Sequence, residues 1–506
     1  MTATADAPAR SAVGLRSERG PVLGAIMLTT ALIALDSTVI ATAVPSIVRD
    51  LGGFSQFPWL FSVYLLTQAV TVPIYGKLAD VLGRKPLITF GVVVFVGASL
   101  LCGIAWSMPA LIVARALQGI GAGAVQPIGV TIIGDLYTVE ERARVQGYVA
   151  SVWGLASVLG PAIGGLFSEY LSWRWIFFLN LPLGAVALLA LRRRFTESVE
   201  RRRHQIDFAG AGLLTIGCSL LILGLLEGGT AWSWGSGTSA LVLGTAAVAL
   251  VAFVLVERRA AEPVLPLWVF QRRVLLGGNL TAVGVGALLI GLSSYVPAYV
   301  QGVLGTGAVE AGFALGALTI GWPIAATLSG RVYIRIGFRD TALIGASFAI
   351  LGSVLTALLP EDAPVWHVAA TMFLTGIGLG LSSSPVVVAI QSVVGWDRRG
   401  VVTGTNMFSR AMGSAVGAAL FGAIANSTLA HRFAHPPASV QGPLPHGVDG
   451  TTKALQHPGA VADFVRASLY QASHHVFVAL AITSVLMAAA LTLIPRRTRA
   501  LEFTSG

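Results

Sequence analysis

Long apolar stretches separated by short polar segments occupy nearly the whole chain. Many of the stretches contain about 20 residues, and a helix of that length crosses a hydrocarbon core of about 30 Å. The pattern therefore predicts an all-α polytopic membrane protein with fourteen spans, which we number 1 to 14. The predicted spans are residues 22–45, 57–78, 87–106, 109–132, 143–167, 175–194, 208–227, 238–256, 275–301, 309–332, 341–359, 364–388, 401–424 and 472–494.

Composition and charge narrow the class of protein further. Of the 506 residues, 55% are hydrophobic and only 11% are charged, which excludes an ordinary soluble protein. The net charge of +10 would suit a nucleic-acid partner, but the basic residues form short patches between alternate spans. That alternation is typical of cytoplasmic loops, where lysine and arginine accumulate. It predicts a multi-pass inner (cytoplasmic) membrane protein with both termini in the cytoplasm and no nucleic-acid partner. The excess of arginine over lysine suggests a bacterial source.

Two internal similarities indicate that the chain contains a duplication. The loop GKLADVLGRK at Gly76–Lys85 has a weaker copy, GRVYIRIGFR, at Gly330–Arg339. The segment that starts at Gly119 matches the segment that starts at Gly376 with nearly the same offset. Spans 1–6 therefore correspond to spans 9–14, and spans 7 and 8 are inserted between the two repeats.

The repeats and the linkers between them divide the chain into seven parts. These are an N-terminal tail (1–21), an N-terminal six-helix bundle (22–194), a linker (195–207), two inserted helices (208–256), a second linker (257–274), a C-terminal six-helix bundle (275–494) with an outer loop (425–471), and a C-terminal tail (495–506).

Four segments carry a resemblance to known transporters. The loop at Gly76–Lys85 resembles the signature loop between the second and third helices of the major facilitator superfamily. LDSTVIATAVP around Asp36 resembles the first-helix motif of the fourteen-helix drug:proton antiporter-2 family, and RALQGIGAG around Arg115 resembles the superfamily's fourth-helix motif. GLASVLGPAIGG resembles the fifth-helix motif associated with exporters, through Gly160, Pro161, Gly164 and Gly165.

The resemblance implies a fold and a reaction. The fold is the major facilitator fold, in which two six-helix bundles are related by an axis along the membrane normal. The reaction is export of a small amphipathic compound, such as a drug, in exchange for protons. The partners are thus the substrate, protons and the lipid bilayer. We expect no cofactor, since the proton gradient supplies the energy.

Two charged residues within spans are the candidates for proton coupling. An ionised Asp36 in the middle of span 1 costs about 2.5–3.5 kcal/mol on insertion scales, and buried membrane acids usually face a water-filled pathway. The alternative is an acid that Ser37 or Thr38 holds for packing. Arg115 in span 4 stays charged and needs a partner, for which Asp36 is a candidate. The alternative for Arg115 is a structural anchor bonded to carbonyl groups.

The signature loop provides candidates for a gate. By resemblance, these residues are Gly76, Asp80, Gly83, Arg84 and Asp135. Asp80 is expected to approach the start of span 13 near residues 401–404, where a helix N-terminus favours an anion. Arg84 is expected to pair with Asp135 at the end of span 4. Because Ile334 occupies the position of Asp80 in the second copy, the gate is expected in the N-terminal half alone.

Polar and aromatic residues within the spans are candidates for a substrate cavity, although helical phase alone does not orient them. They are Tyr64, Gln68, Gln118, Gln126, Tyr295, Tyr299, Asn406, Phe408 and Arg410. The two cysteines lie in apolar runs and imply neither a disulfide nor a metal site.

Several alternatives to drug export remain open at this stage. One keeps the fold and changes the cargo to a lipid or a lipid precursor. A second is an importer or proton symporter, which the fifth-helix motif disfavours. A third, from another class, is a membrane sensor or scaffold that does not transport. A membrane enzyme is the least favoured, because the sequence shows neither a nucleophile–base set nor metal-ligand spacing.

Overall fold

The computed structural model describes residues 14–15, 17–52, 56, 59–197, 207–229, 232–437, 440 and 459–496. Most of the predicted N-terminal tail, most of the linker 195–207, the middle of the loop 425–471 and most of the C-terminal tail lie outside the described residues.

Within the described ranges, fourteen helical segments are long and apolar enough to cross a membrane. The helices are α1 (Gly20–Leu51), α2 (Trp59–Leu82), α3 (Arg84–Gly103), α4 (Met108–Leu136), α5 (Val139–Tyr170), α6 (Arg174–Phe178), α7 (Asn180–Arg194), α8 (Phe208–Glu227), α9 (Gly237–Glu257), α10 (Trp268–Gln271), α11 (Arg273–Gly302), α12 (Ala308–Ile336), α13 (Phe338–Ala357), α14 (Val365–Ser392), α15 (Arg399–Ala434) and α16 (Ala460–Leu491). The short α6 and the adjoining α7 together form the sixth span, and the four-residue α10 is not a span.

The helices form two bundles and an inserted pair, as the sequence predicted. Helices α1–α7 form the N-terminal bundle, and α11–α16 form the C-terminal bundle. The bundles meet along two seams, one between α2 and α15 and the other between α5 and α12. The inserted helices α8 and α9 pack against each other, and α8 also packs against α2 and α15. The inserted pair therefore lies on the α2–α15 seam.

The duplicated loop has the same backbone turn in both halves. Gly83 lies between α2 and α3 with φ +94°, and Gly337 lies between α12 and α13 with φ +91°. A side chain is disfavoured at such angles, so glycine suits both turns. The repeat seen in the sequence is therefore also a repeat of local conformation.

Several of the observed helices are longer than the predicted spans. Helix α1 reaches Leu51 rather than residue 45, α15 reaches Ala434 rather than 424, and α16 begins at Ala460 rather than 472. The prediction that residues 425–471 form a loop is therefore wrong at both ends. Hydropathy marks only the part of a helix inside the hydrocarbon, whereas these helices continue into polar sequence.

Small residues allow the helices of each bundle to approach closely. Gly121 of α4 faces α3, where a Cβ on it would lie 2.6 Å from the backbone nitrogen of Phe95 and 2.8 Å from the carbonyl oxygen of Gly91. Van der Waals packing of this kind drives association between membrane helices, since lipid tails are as apolar as the side chains. The α3–α4 contact therefore depends on the absence of a side chain at this position.

We expect Gly121→Ala to destabilise the protein, because an added methyl group meets backbone atoms that cannot rotate away. Overpacking of this kind costs roughly 1–3 kcal/mol, so the Tm of the detergent-solubilised protein should fall. The matched control is Gly97→Ala in α3, where a Cβ meets nothing within 4 Å. That variant should melt at or above the wild-type temperature, since alanine favours helix over glycine. Equal Tm values for Gly121→Ala and the wild type would contradict this account of the packing.

Candidate functional site: a buried ion pair and an interbundle gate

A buried ion pair lies inside the N-terminal bundle. Asp36 of α1 is 2% exposed and Arg115 of α4 is 1% exposed. Arg115 Nη1 donates to Asp36 Oδ2 at 2.5 Å. The two charges compensate each other, which offsets part of the penalty of burying either one alone.

Three polar side chains complete the surroundings of the carboxylate. Gln118 Nε2 donates to Asp36 Oδ1 at 2.8 Å and to Ser99 Oγ at 2.7 Å. Asn180 Nδ2 approaches the same two acceptors at 3.3 and 3.2 Å. We call Asp36, Arg115, Gln118, Ser99 and Asn180 the Asp36 network; it joins α1, α3, α4 and α7.

Arg115 has further contacts that fix its position. Its Nη1 also donates to Gln118 Oε1 at 2.6 Å, and its Nε donates to the carbonyl oxygen of Leu60 at 3.2 Å. Its guanidinium carbon lies 4.2 Å from the centre of the Tyr64 ring, in cation–π geometry. Tyr64 and Gln118 therefore surround the ion pair. The prediction that they line an open cavity does not hold in this conformation.

The expected proximity of Asp36 and Arg115 is thus observed, but the surroundings of Asp36 differ from the expectation. Asp36 does not face a water-filled pathway in this conformation, because donors from α4 and α7 enclose it. Ser37 and Thr38 do not hold it either: their hydroxyl groups donate to the carbonyl oxygens of Ile33 and Ala34.

The fifth-helix motif packs directly on α1 beside the network. Thr38 Oγ1 also donates to the carbonyl oxygen of Ala156 at 3.0 Å, and a Cβ on Gly160 would lie 2.0 Å from that hydroxyl oxygen. Gly164 is buried, whereas a Cβ on Gly165 would meet nothing within 4 Å. The side chain of Pro161 lies outside the described residues.

A second charged cluster, around Asp80, connects the two bundles at one end of the molecule. The backbone N–H groups of Gly400 and Val401, at the start of α15, both donate to the Asp80 carboxylate at 2.8 Å. The carboxylate thus lies at a helix N-terminus, where the backbone donors and the helix dipole favour an anion. This is the contact that the signature loop predicted.

Arg84 ties the same cluster together. Its Nη2 donates to Asp80 Oδ1 at 2.9 Å and to the carbonyl oxygen of Trp396 at 2.5 Å. Its Nε lies 3.1 Å from Asp135 Oδ2, as expected, and its guanidinium carbon lies 3.6 Å from the centre of the Trp396 ring. Arg399 of the C-terminal bundle also donates to Asp135 Oδ1 at 2.9 Å. We call Asp80, Arg84, Asp135 and Arg399 the Asp80 cluster.

Glycine permits the close approach of the bundles in this region. A Cβ on Gly76 would lie 2.7 Å from the carbonyl oxygen of Gly400 and 3.2 Å from Cα of Gly404. The first glycine of the loop therefore serves the contact between α2 and α15, and the second, Gly83, serves the turn.

The second copy of the loop makes a different contact between the bundles. Ile334, which replaces the acid, is 54% exposed. The neighbouring Tyr333 instead donates from its hydroxyl group to the carbonyl oxygen of Val139 in α5. At this end the two seams are thus closed by different chemistry: charges at α2–α15 and a neutral tyrosine at α5–α12.

Some residues of both sites were not predicted from the sequence. Ser99 lies in an apolar run, and no neighbouring residue distinguishes it. Asn180 is an amide within an apolar span, and this polarity could have indicated a buried hydrogen-bond partner. Arg399 was interpreted only as part of a cytoplasmic basic patch. Glu197 accepts from the backbone N–H groups of Arg84 and Lys85 at 3.1 and 2.9 Å and so caps α3.

The remaining cavity candidates fall into two groups. Tyr295, Tyr299, Asn406 and Phe408 contribute to packing: Tyr299 donates to the carbonyl oxygen of Pro360, Asn406 donates to that of Gly278, and Phe408 packs with the inserted helices. Gln68, Gln126 and Arg410 are partly accessible, and Gln68 Nε2 donates to Gln126 Oε1 at 3.2 Å.

Comparison with known proteins agrees with this architecture. The sequence-family model of the Major Facilitator Superfamily matches residues 26–418 of this chain. The chain belongs to the major facilitator superfamily. It is thus a multi-pass membrane transporter and not an enzyme.

Relatives of this superfamily member include named drug transporters. The chain is 36% identical over 413 residues to "Multidrug resistance protein 3" of Bacillus subtilis (strain 168), covering 81% of this chain and 80% of the relative. It is 35% identical over 414 residues to "Multidrug transporter protein MdtP" of the same organism, covering 82% and 76%.

Solved structures show the same fold at low sequence identity. The human organic anion transporter MFSD10 (TETRAN) matches with a TM-score of 0.63 and 15% identity, covering 94% of this chain and 99% of that chain. The proton:xylose symporter XylE matches with a TM-score of 0.62 and 13% identity, covering 95% and 97%.

We expect Asp80→Asn to loosen the contact at the start of α15, because the substitution removes the negative charge that accepts hydrogen bonds from two backbone N–H groups. Hydrogen bonds to charged groups contribute about 1.5–3 kcal/mol, so amide exchange at residues 400 and 401 should accelerate about tenfold or more. Hydrogen–deuterium exchange with mass spectrometry measures this.

The matched control is Asp340→Asn. Asp340 lies in the first turn of α13, is partly exposed, and is 3.8 Å from Arg496. Its replacement should leave exchange at the start of α15 unchanged. Wild-type exchange at that position in Asp80→Asn would show that the carboxylate does not hold the gate.

Proposed function

We propose that this protein exports small amphipathic compounds, including drugs, from the cytoplasm in exchange for protons by alternating access. The names of the two Bacillus relatives support drugs as the class of cargo, and the resemblance of the fifth-helix motif to that of exporters supports the outward direction. The observation that carries the proton-coupled part is the buried Asp36–Arg115 pair, an ionisable group enclosed within one bundle of a two-bundle transporter.

Protonation of Asp36 would change the Asp36 network in a defined way. A neutral carboxyl group attracts a guanidinium far less than a carboxylate does, so Arg115 would lose its compensating charge. The guanidinium would then rely on the Leu60 carbonyl, Gln118 and the Tyr64 ring. A new arrangement of α1 against α4 would follow, and this would couple proton binding to the shape of the N-terminal bundle.

The Asp80 cluster is the proposed gate between the bundles. It joins α2 and α4 to the start of α15, so the two bundles cannot rock apart at this end while its contacts persist. The basic residues Lys77 and Lys85 lie at the same end, which supports a cytoplasmic position for this face. On that assignment, the described conformation is closed towards the cytoplasm.

Coupling requires that protons and substrate prefer different states of the transporter. A ligand shifts a conformational equilibrium only by its difference in affinity between the states. We propose that the protonated Asp36 favours the state that opens inward and that release of the proton favours the return. Substrate would bind between the bundles near the middle of the membrane.

The experiment is gradient-driven export in proteoliposomes with an imposed pH difference, across a panel of amphipathic compounds. Asp36→Asn should reduce gradient-driven export at least about tenfold, since an amide cannot take up the proton that a carboxylate takes up. Substrate binding at equilibrium should persist in the same variant.

The matched control is Asp50→Asn, which changes an acid on the same helix. Asp50 lies at the C-terminal end of α1, is exposed, and pairs with Arg174 at 2.5 Å. Its replacement should leave export near the wild-type level. Undiminished export by Asp36→Asn would remove this residue from the mechanism, and export independent of the pH difference would remove proton coupling.

A further inference from the structure

Two acids lie where the inserted pair of helices begins and ends. Asp207 is the residue before α8, and Glu257 is the last residue of α9. Because α8 and α9 are consecutive membrane helices that pack against each other, the start of α8 and the end of α9 lie on the same side of the membrane. Glu257 is only 4% exposed, and Asp207 is partly buried. Both acids are thus largely removed from water at this end of the inserted pair.

Each acid uses one carboxylate oxygen to accept a hydrogen bond from the backbone. Asp207 Oδ1 accepts from the N–H group of Gly210 at 2.8 Å and so caps α8. Glu257 Oε1 accepts from the N–H group of Leu265 at 2.5 Å, in the segment that follows α9. These contacts fix both carboxyl groups in place and leave one oxygen of each for another partner.

The two remaining oxygens face each other. A Cβ on Gly210 would lie 2.2 Å from Asp207 Oδ2 and 2.9 Å from Glu257 Oε2, so both oxygens border the same point. Both are buried, and neither has a hydrogen-bond donor among the residues that the structure describes. The two side chains are within hydrogen-bonding reach of each other. Because the oxygens of ionised carboxylates only accept, a bond between these two requires one proton.

The charged groups that face the two acids in the described part of the chain are Lys77 and Glu262. Lys77 of α2 lies within electrostatic reach of Glu257, but its Nζ is 3.3 Å from Glu262 Oε2 in the segment after α9. Lys77, Glu262 and Asp207 line a small cavity between α2 and the start of α8. Further basic residues at these helix ends are exposed or paired with other acids, and they are Arg258, Arg259, Arg398 and Arg399. Lys77, which Glu262 shares, therefore does not neutralise two ionised carboxylates.

The two helix termini determine which of the acids holds a proton. The N-terminus of α8 favours the anionic form of Asp207, whereas the C-terminus of α9 disfavours a negative charge on Glu257. Two ionised carboxylates in contact repel each other. One proton between them replaces this repulsion with a strong charge-assisted hydrogen bond.

We propose that Asp207 and Glu257 form a proton-binding site in the inserted helices, in which the Glu257 Oε2–H group donates to Asp207 Oδ2. The bound proton joins the start of α8 to the end of α9 and holds the segment at Leu265 against them. Lys77 connects the site to α2, the helix that precedes the signature loop. The site is separate from the Asp36 network and does not depend on the transport proposed above.

Infrared difference spectroscopy of the protein in nanodiscs tests directly for the proton. The wild type should show the C=O band of a protonated carboxyl group at neutral pH, and this band should disappear as the pH is raised. Glu257→Gln should lack the band, because its amide nitrogen donates to Asp207 in place of the carboxyl group. A spectrum that is the same in Glu257→Gln and in the wild type would refute the proton site.

A second substitution tests the pairing of the two acids. In Asp207→Asn, Glu257 should lose its proton at a lower pH than in the wild type, because the new amide donates to it and no neighbouring carboxylate opposes its ionisation. Glu310→Gln, which changes an exposed acid in the first turn of α12, is the matched control and should titrate like the wild type. A band that titrates at the wild-type pH in Asp207→Asn would refute the pairing.

Amide exchange at Leu265 tests whether the proton holds the segment after α9. After correction for intrinsic exchange rates, exchange in the wild type should accelerate about tenfold or more between about pH 6 and about pH 9, because repulsion between two carboxylates displaces Glu257 from this N–H group. In Glu257→Gln the protection should persist over the same range, since the amide oxygen still accepts from Leu265. Equal pH dependence in the two proteins would refute this role. Protection that follows the Na⁺ concentration at fixed pH, without the carboxyl band, would identify a metal cation as the occupant and would also refute the proton site.

Discussion

The compensation of Asp36 by Arg115 is the interaction on which the N-terminal bundle depends. An isolated carboxylate or guanidinium at this depth would be costly, and four helices supply the groups that offset the cost. In the proposed mechanism the same pair makes the bundle responsive, since a single proton on Asp36 would leave Arg115 without its partner. One interaction thus stabilises the observed arrangement of the helices and, in the proposed mechanism, provides a means of changing it.

The fold could be predicted from the sequence because a membrane fixes the apolar length of each spanning helix and the side on which basic residues accumulate. Apolar length, the alternation of basic patches and the repeated loop predicted fourteen spans and two bundles with an inserted pair. The contacts of Asp80 and Arg84 followed from a motif with few structural solutions, and Asp36 stood out because buried acids are rare. These predictions relied on local chemistry or on length, which a single sequence displays.

The parts that could not be predicted depend on which side of a helix meets which neighbour. Ser99 and Asn180 join the Asp36 network only because α3 and α7 pack beside α1, and no local pattern fixes that packing. Tyr64 was grouped with the cavity because an aromatic ring suits either environment, and its contact with Arg115 decides between them. The polar end of α15 and the polar start of α16 were not predicted, because hydropathy identifies only the part of a helix that lies in the hydrocarbon.

The position of α8 and α9 has a consequence for compounds that approach through the lipid. The two bundles meet at two seams, and a compound in the bilayer could approach the space between the bundles only along one of them. Here the inserted helices stand in front of the α2–α15 seam, where Leu214, Ile222 and Phe253 pack against Val70 and Ala415. In the described part of the chain, α8 and α9 thus cover the α2–α15 seam and not the α5–α12 seam, so the two additional helices make the two seams differ in their exposure to lipid.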